Sequence, residues 1–217
     1  MQILLHQILL NRQVVTTYHS NIMRLTSYAF LPEVGEINSP RIVRGAFAKQ
    51  CLNQLTSQLF KDYKPCYQFK HVDNVMYLDV YDNPKAGVDL DFKLPESIDI
   101  FGNPVHIRFE GVEHYEIEES DKTFTFDSPS IAKVIPADEP LSTSDVELGL
   151  SRSVTEFLAL LGHNINVEIT SSALFRRSVM LYNNETLAFG GKIYCNVSLP
   201  ETLCIGEYCH IGYGILG

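Results

Sequence analysis

The stretch Asn38-Ser39-Pro40-Arg41-Ile42-Val43-Arg44-Gly45-Ala46-Phe47-Ala48-Lys49-Gln50-Cys51-Leu52-Asn53-Gln54-Leu55-Thr56-Ser57-Gln58-Leu59 decides how the chain is read. Val43, Phe47, Cys51/Leu52, Leu55 and Leu59 recur every three to four residues, which on a helix makes one apolar stripe. Asn38 or Ser39 supplies an N-cap, and Pro40 suits a first turn, where its missing N–H costs nothing. The spacing predicts a single amphipathic helix over residues 41–59. Arg41, Arg44 and Lys49 fall off the stripe, toward solvent or a ligand.

Working outward, residues 66–72 and 75–81 read as strands joined by the turn Asp73-Asn74. Residues 2–17 and 23–31 read as strands before the helix, the second stopped by Pro32. Residues 105–110 and 113–118 alternate around Gly111. The second half repeats the plan. A strand over residues 123–126 precedes a helix capped within Ser142-Thr143-Ser144-Asp145, with Glu147 as its capping-box partner. That helix is expected to bury Leu148, Val154, Phe157, Leu158 and Leu161 and to end at Gly162. Strands over 167–170, 177–182 and 192–197 follow. The fold class is therefore α+β: two tandem ferredoxin-like (RRM-like) domains, antiparallel sheets with helices on one face. Residues 1–120 form the N-terminal domain and 121–217 the C-terminal one.

Composition limits the functions available. The chain has 217 residues, 45% of them hydrophobic and 20% charged, so it builds a core and is not a disordered tail. Apolar runs fall short of the roughly 18–20 residues that span a bilayer. The opening residues lack a basic region and a cleavage site, so no signal peptide and no membrane association are expected. Five cysteines, an odd number, suit a reducing compartment, and the expected location is cytoplasmic. Cys204-x4-Cys209-His210 brings thiolate and imidazole together but has no CxxC to complete a zinc site, so it reads as thiols; no metal and no cofactor is expected.

The net charge of −9 argues against a bulk basic nucleic-acid coat. It is unevenly distributed. Residues 41–70 hold Arg41, Arg44, Lys49, Lys61, Lys64 and Lys70 against Asp62 alone, while residues 79–147 hold 17 acids against 5 bases. The basic stretch is a candidate anion-binding face, and the acidic one a solvation or protein-contact face.

The tail, from Leu199-Pro200 through Cys204-Ile205-Gly206-Glu207 to Gly212-Tyr213-Gly214, is a glycine loop. Glycines allow positive φ and close backbone approach, and successive free N–H groups can cradle phosphate. No helix follows, and no Gly-Lys-Ser/Thr occurs, so it is neither a dinucleotide fingerprint nor a P-loop.

These residues resemble the CRISPR-associated repeat-RNA processing endoribonucleases of the RAMP superfamily. The subfamily ends in an asparagine, a Leu-Pro pair and a Gly-x-Gly-Lys…Gly-Phe-Gly loop, to which Asn196, Leu199-Pro200, Cys204-Ile205-Gly206-Glu207 and Gly212-Tyr213-Gly214 are similar. Its Arg-Gly at the first helix resembles Arg44-Gly45, and its Tyr-Pro-x-x-Gln-x-Lys strand resembles the run from Tyr63 to Lys70. The resemblance implies metal-independent cleavage of CRISPR repeat RNA, in which a 2′-hydroxyl attacks the adjacent phosphate and leaves a 2′,3′-cyclic phosphate. It also implies that Arg41, Arg44, Lys49, Lys64 and Lys70, with Gly206, His210, Gly212 and Gly214, contact the RNA. It admits other effector subunits, and a second copy of the chain, as partners.

The chain departs from that family at three points. No histidine lies between Arg44 and Tyr63, Glu207 replaces the loop lysine, and Cys204 replaces the loop's first glycine. The proton-transfer role is left to His19 or His71, which flank the first helix, or to Tyr28 or Tyr63 as acid or oxyanion partner. The same departures motivate a second reading: a catalytically inactive RNA-binding or protein-interaction subunit.

Overall fold

The computed structural model describes residues 21–90, 93–131, 142–181 and 183–217. The strand expected over residues 2–17, together with His19 and Tyr182, lies outside the described residues.

The chain runs β1 (Ile22–Pro32), α1 (Pro40–Cys51), α2 (Gln54–Asp62), β2 (Tyr67–Val72), β3 (Val75–Asp82), β4 (Ser97–Ile100), β5 (Asn103–Glu116) and β6 (Glu119–Thr125). It continues through α3 (Thr143–Leu160), β7 (Ile169–Leu181) and β8 (Asn184–Val197). The first sheet has the order β2-β3-β1-β5-β4, all antiparallel. Without the edge strand β4, the order β2-β3-β1-β5 with a helix crossing from β1 to β2 is the ferredoxin-like arrangement. The second sheet runs β6-β8-β7, and Leu216 bridges Phe126 so that the C-terminus takes the fourth place beside β6. Two ferredoxin-like units in tandem result.

The helix read over residues 41–59 is two helices. Asn53 accepts a hydrogen bond from the Thr56 N–H at 3.0 Å and caps α2, while Leu52 takes extended dihedrals between the two. A side-chain cap competes with the helical ladder wherever Asn can reach the backbone two or three residues on. The bend lets both helices follow the sheet. Phe47 of α1 and Phe60 of α2 each meet Phe69 of β2, at ring distances of 5.4 and 6.3 Å. Such edge-on aromatic contacts add about 0.5–1.5 kcal/mol beyond burial.

Three further expectations change. The capping-box partner of Ser142 is Asp145 rather than Glu147, whose carboxylate instead accepts from the Ser171 N–H at 2.7 Å. Leu148 is 51% exposed, and Gly149 and Leu150 take the buried positions. The strand pairs expected around Gly111 and after residue 167 are the single long strands β5 and β7, because bulges opposite Ser27 and near Ser171 absorb the irregular residues.

Candidate functional site

The faces of β2 and β3 turned toward the second sheet carry Gln68, Lys70, Asp79 and Tyr81, all buried. They hold the C-terminal loop. Gln68 donates to the Cys204 carbonyl at 3.0 Å and accepts from the Cys204 N–H at 2.8 Å. Lys70 donates to the carbonyl and hydroxyl of Thr202 and pairs with Asp79. The Tyr81 ring meets Phe157 of α3 edge-on at 5.6 Å. Lys70, expected on a phosphate, is therefore a buried anchor of the tail. Its partners lie on a neighbouring strand and 132 residues away, out of reach of local sequence reading.

The loop glycines also differ from expectation. A Cβ on Gly214 would come within 2.1 Å of the Ile205 carbonyl oxygen, and one on Gly206 within 2.5 Å of the Ser130 Oγ. Both hold positive φ. These glycines exist for close packing of the tail on itself and on residues 130–131. Their N–H groups are engaged: Gly206 donates to Ser153 Oγ, Gly212 to the Cys209 carbonyl and Gly214 to the Pro129 carbonyl. A phosphate cradle from these three N–H groups is not formed.

Two cavities flank this loop. The larger, about 780 Å³, lies between α3 and the loop and is lined by Lys64, Ser153, Glu156, Glu207, Tyr208 and His210, among others. Burial, with Lys64 and then Arg44 nearby, pushes the His210 pKa down to about 3. At neutral pH His210 is uncharged, so it brings no cation to an anionic ligand. Arg44 lies with its guanidinium 4.9 Å from the centre of the Phe60 ring. Such stacking is worth about 0.5–2 kcal/mol.

The second cavity, about 440 Å³, lies where the N-terminus of α1 meets the loop. Its walls are Ser39, Pro40, Arg41, His71, Ser128, Gly212 and Tyr213, with apolar neighbours. The His71 Nε2 is buried and makes no hydrogen bond. Ser128 donates to the Gly212 carbonyl and accepts from the Ile215 N–H, both at 2.9 Å, which fixes the loop wall opposite. A buried ring nitrogen without a partner is costly unless a ligand or reacting group uses it. The walls bring an imidazole, a guanidinium and hydroxyls around one hollow, with the His71 Nε2 itself closed off from water.

Of the sequence-predicted residues, this cavity brings together Arg41, His71 and Gly212. Tyr28 stands elsewhere, its ring edge-on to Phe109 at 5.9 Å, and Tyr63 ends α2 packed on the core. Lys49 is exposed on α1. Ser39, Ser128 and Tyr213 were not singled out as site residues. Tyr213 stood between two loop glycines and Ser39 at a helix cap, signals that locate a turn without telling which way a hydroxyl faces. No group of three or more His, Cys, Asp or Glu that could hold a metal occurs among the described residues.

No protein-family model matches the chain, nor does any curated protein. Solved structures do. The crystal structure of Cas6b superposes with a TM-score of 0.66 at 18% identity, covering 90% of this chain and 98% of that one. The chain has the Cas6 fold.

The crystal structure of CRISPR RNA processing endoribonuclease Cas6b gives a TM-score of 0.53 at 18% identity, over 89% of this chain and 98% of the other. A Cas6 product complex gives 0.54 at 13% identity, over 89% and 98%. The resemblance read from the tail and the first helix thus holds at the level of the Cas6 fold across nearly the whole chain.

Proposed function

We propose that this chain binds CRISPR repeat RNA and cuts it without a metal, the 2′-hydroxyl attacking the adjacent phosphate to leave a 2′,3′-cyclic phosphate. The Cas6 fold supports the substrate class. The observation that carries the reaction is the buried, unengaged Nε2 of His71, a residue that shares a cavity wall with Arg41. In this reading His71 takes the proton of the 2′-hydroxyl, and Arg41 stabilises charge on the pentacoordinate phosphorus. Such proton transfer contributes about 10²–10⁴-fold in rate. Tyr213 and Ser39 are within the same walls to donate to the leaving 5′-oxygen.

The RNA follows the cleft between the two units, which divide between β5 and β6 rather than at residues 120/121, with Arg44, Lys49 and Lys64 along its phosphates. The cytoplasm is the compartment this reading implies. Pure protein incubated with its cognate repeat RNA in EDTA tests the proposal. A product with a 2′,3′-cyclic phosphate is expected, and intact RNA at stoichiometric protein overturns it.

A second reading is favoured by Glu207 on the loop and by the engaged glycine N–H groups. Here the chain is an RNA-binding or protein-interaction subunit that does no chemistry. The acidic stretch of residues 79–147, whose Glu110, Glu113, Glu116 and Glu118 are exposed, would then meet other CRISPR effector subunits, and binding without cleavage is its signature.

A further inference from the structure

The tip of the β4–β5 hairpin is the two-residue turn Phe101-Gly102, closed by the pair Ile100↔Asn103. Both residues have positive φ, 56° for Phe101 and 82° for Gly102. Turns of this kind select Asn, Asp or Gly at the first position, because a side chain with a bulky Cβ substituent is strained there. A phenylalanine at that place, 88% exposed, carries backbone strain that Asn, Asp or Gly would not.

The hairpin is nevertheless held firmly. Gln50 of α1 donates to the Asp99 carbonyl at 2.7 Å and accepts from the Asp99 N–H at 2.8 Å. The Asp99 carboxylate, on the groove wall, accepts from the Gly102 N–H at 3.0 Å. The backbone of the turn is therefore held in place beside a groove of about 830 Å³ between the hairpin and α1, which Phe101 helps to line. The groove floor is Ile42, Gly45 and Ala46, and Arg41 and Lys49 stand along it. Apart from its chain neighbours and the backbone of its own helix, no atom lies within 4 Å of where a Gly45 Cβ would be, so the floor is open.

We infer that Phe101 is a stacking platform for a base of single-stranded RNA, with Lys49 and Arg41 on the flanking phosphates. An exposed ring on an anchored turn, beside cations and an apolar floor, is the combination that binds unpaired nucleotides, since every base has a face to stack and a phosphate to neutralise. The inference rests on the RNA-processing reading and shares Arg41 and Lys49 with it, but it adds the hairpin tip as a contact and predicts a separate signal. Base stacking removed by truncation costs about 5- to 150-fold in affinity.

The test uses the full chain and a single-stranded RNA dodecamer containing 2-aminopurine. Quenching of the fluorophore on binding is expected, with Phe101→Trp retaining it. Phe101→Gly, which relieves the positive φ, is expected to keep or raise the thermal midpoint while weakening binding at least 5-fold and losing the quenching. Lys49→Ala is expected to reduce the salt slope of binding by about one. Equal affinity and quenching for wild type and Phe101→Gly overturn the platform, whether or not the repeat RNA is cleaved. Absence of oligonucleotide binding overturns it too. A dimer that Phe101→Gly dissolves, with oligonucleotide binding unchanged, overturns it in favour of a protein contact. Stacking without cleavage of repeat RNA leaves the platform standing and removes the nuclease reading instead.

Discussion

The Lys70 ammonium lies 2.5 Å from the Asp79 carboxylate, with neither side chain more than 6% exposed. Ser27 donates to the same carboxylate at 2.7 Å, and Thr202 takes up the remaining Lys70 donors. A buried pair of this kind is satisfied only while every partner is present, because a stranded charge has no water to replace the lost one. Lys70→Ala should therefore lower unfolding stability by about 3–5 kcal/mol. The double replacement Lys70→Met with Asp79→Leu should lie much closer to wild type. Urea unfolding monitored by circular dichroism reads both.

His71→Ala should reduce repeat-RNA cleavage by about 10²–10⁴-fold while leaving RNA affinity within about threefold, if the imidazole moves a proton rather than holding the ligand. Single-turnover cleavage and filter binding separate the two. Unchanged cleavage would remove His71 from the mechanism.

His210 links stability to pH. Its folded pKa is depressed to about 3, below the ordinary 6.5, because burial and the nearby Lys64 and Arg44 disfavour its charged form. The unfolded chain therefore binds a proton that the folded chain does not, throughout the window between those values. The stability that neutral His210 confers is fully present above pH 6.5 and declines as pH falls toward 3, by up to about 1.4 kcal/mol per unit. His210→Gln should flatten the fall in urea midpoint between pH 7 and pH 5 relative to wild type. An identical slope in the two proteins would contradict this account.

Two glycines should respond oppositely to alanine. Gly214→Ala sets a methyl against the Ile205 carbonyl at positive φ, and should cost more than about 2 kcal/mol. Gly45→Ala lies in the exposed middle of α1 with open space around it and should gain about 0.5–1 kcal/mol. Thermal unfolding of the two variants side by side checks the contrast.

Local signals in the sequence carried the elements themselves. Val43 and Phe47 are buried on α1 at the spacing that predicted their stripe, Asp73-Asn74 turns the β2–β3 hairpin with positive φ, and Gly162 ends α3. Each depends on residues within a turn or two, which is why a linear reading reaches them. Even so, the break at Asn53 escaped, because an apolar stripe and a side-chain cap compete over the same few residues and both looked satisfied.

The site was legible as a set of candidates and not as an arrangement. His71 and Lys70 are adjacent in sequence, and nothing in their composition says which enters a cavity and which enters the core. Strand alternation sends them to opposite faces of the sheet, and only the register with β3 fixes which face meets the tail. The glycine loop shows the same division. Its residues determined that the backbone turns tightly, whereas the packing of Ser130, Ser153 and Pro129 against it decided that its N–H groups face inward. Composition and periodicity thus determined two α+β units and a basic stretch on the first. The charge that stays buried, the histidine that stays unengaged and the ring that stands in water were decided by contacts between residues far apart in the chain, whose energies no local window contains.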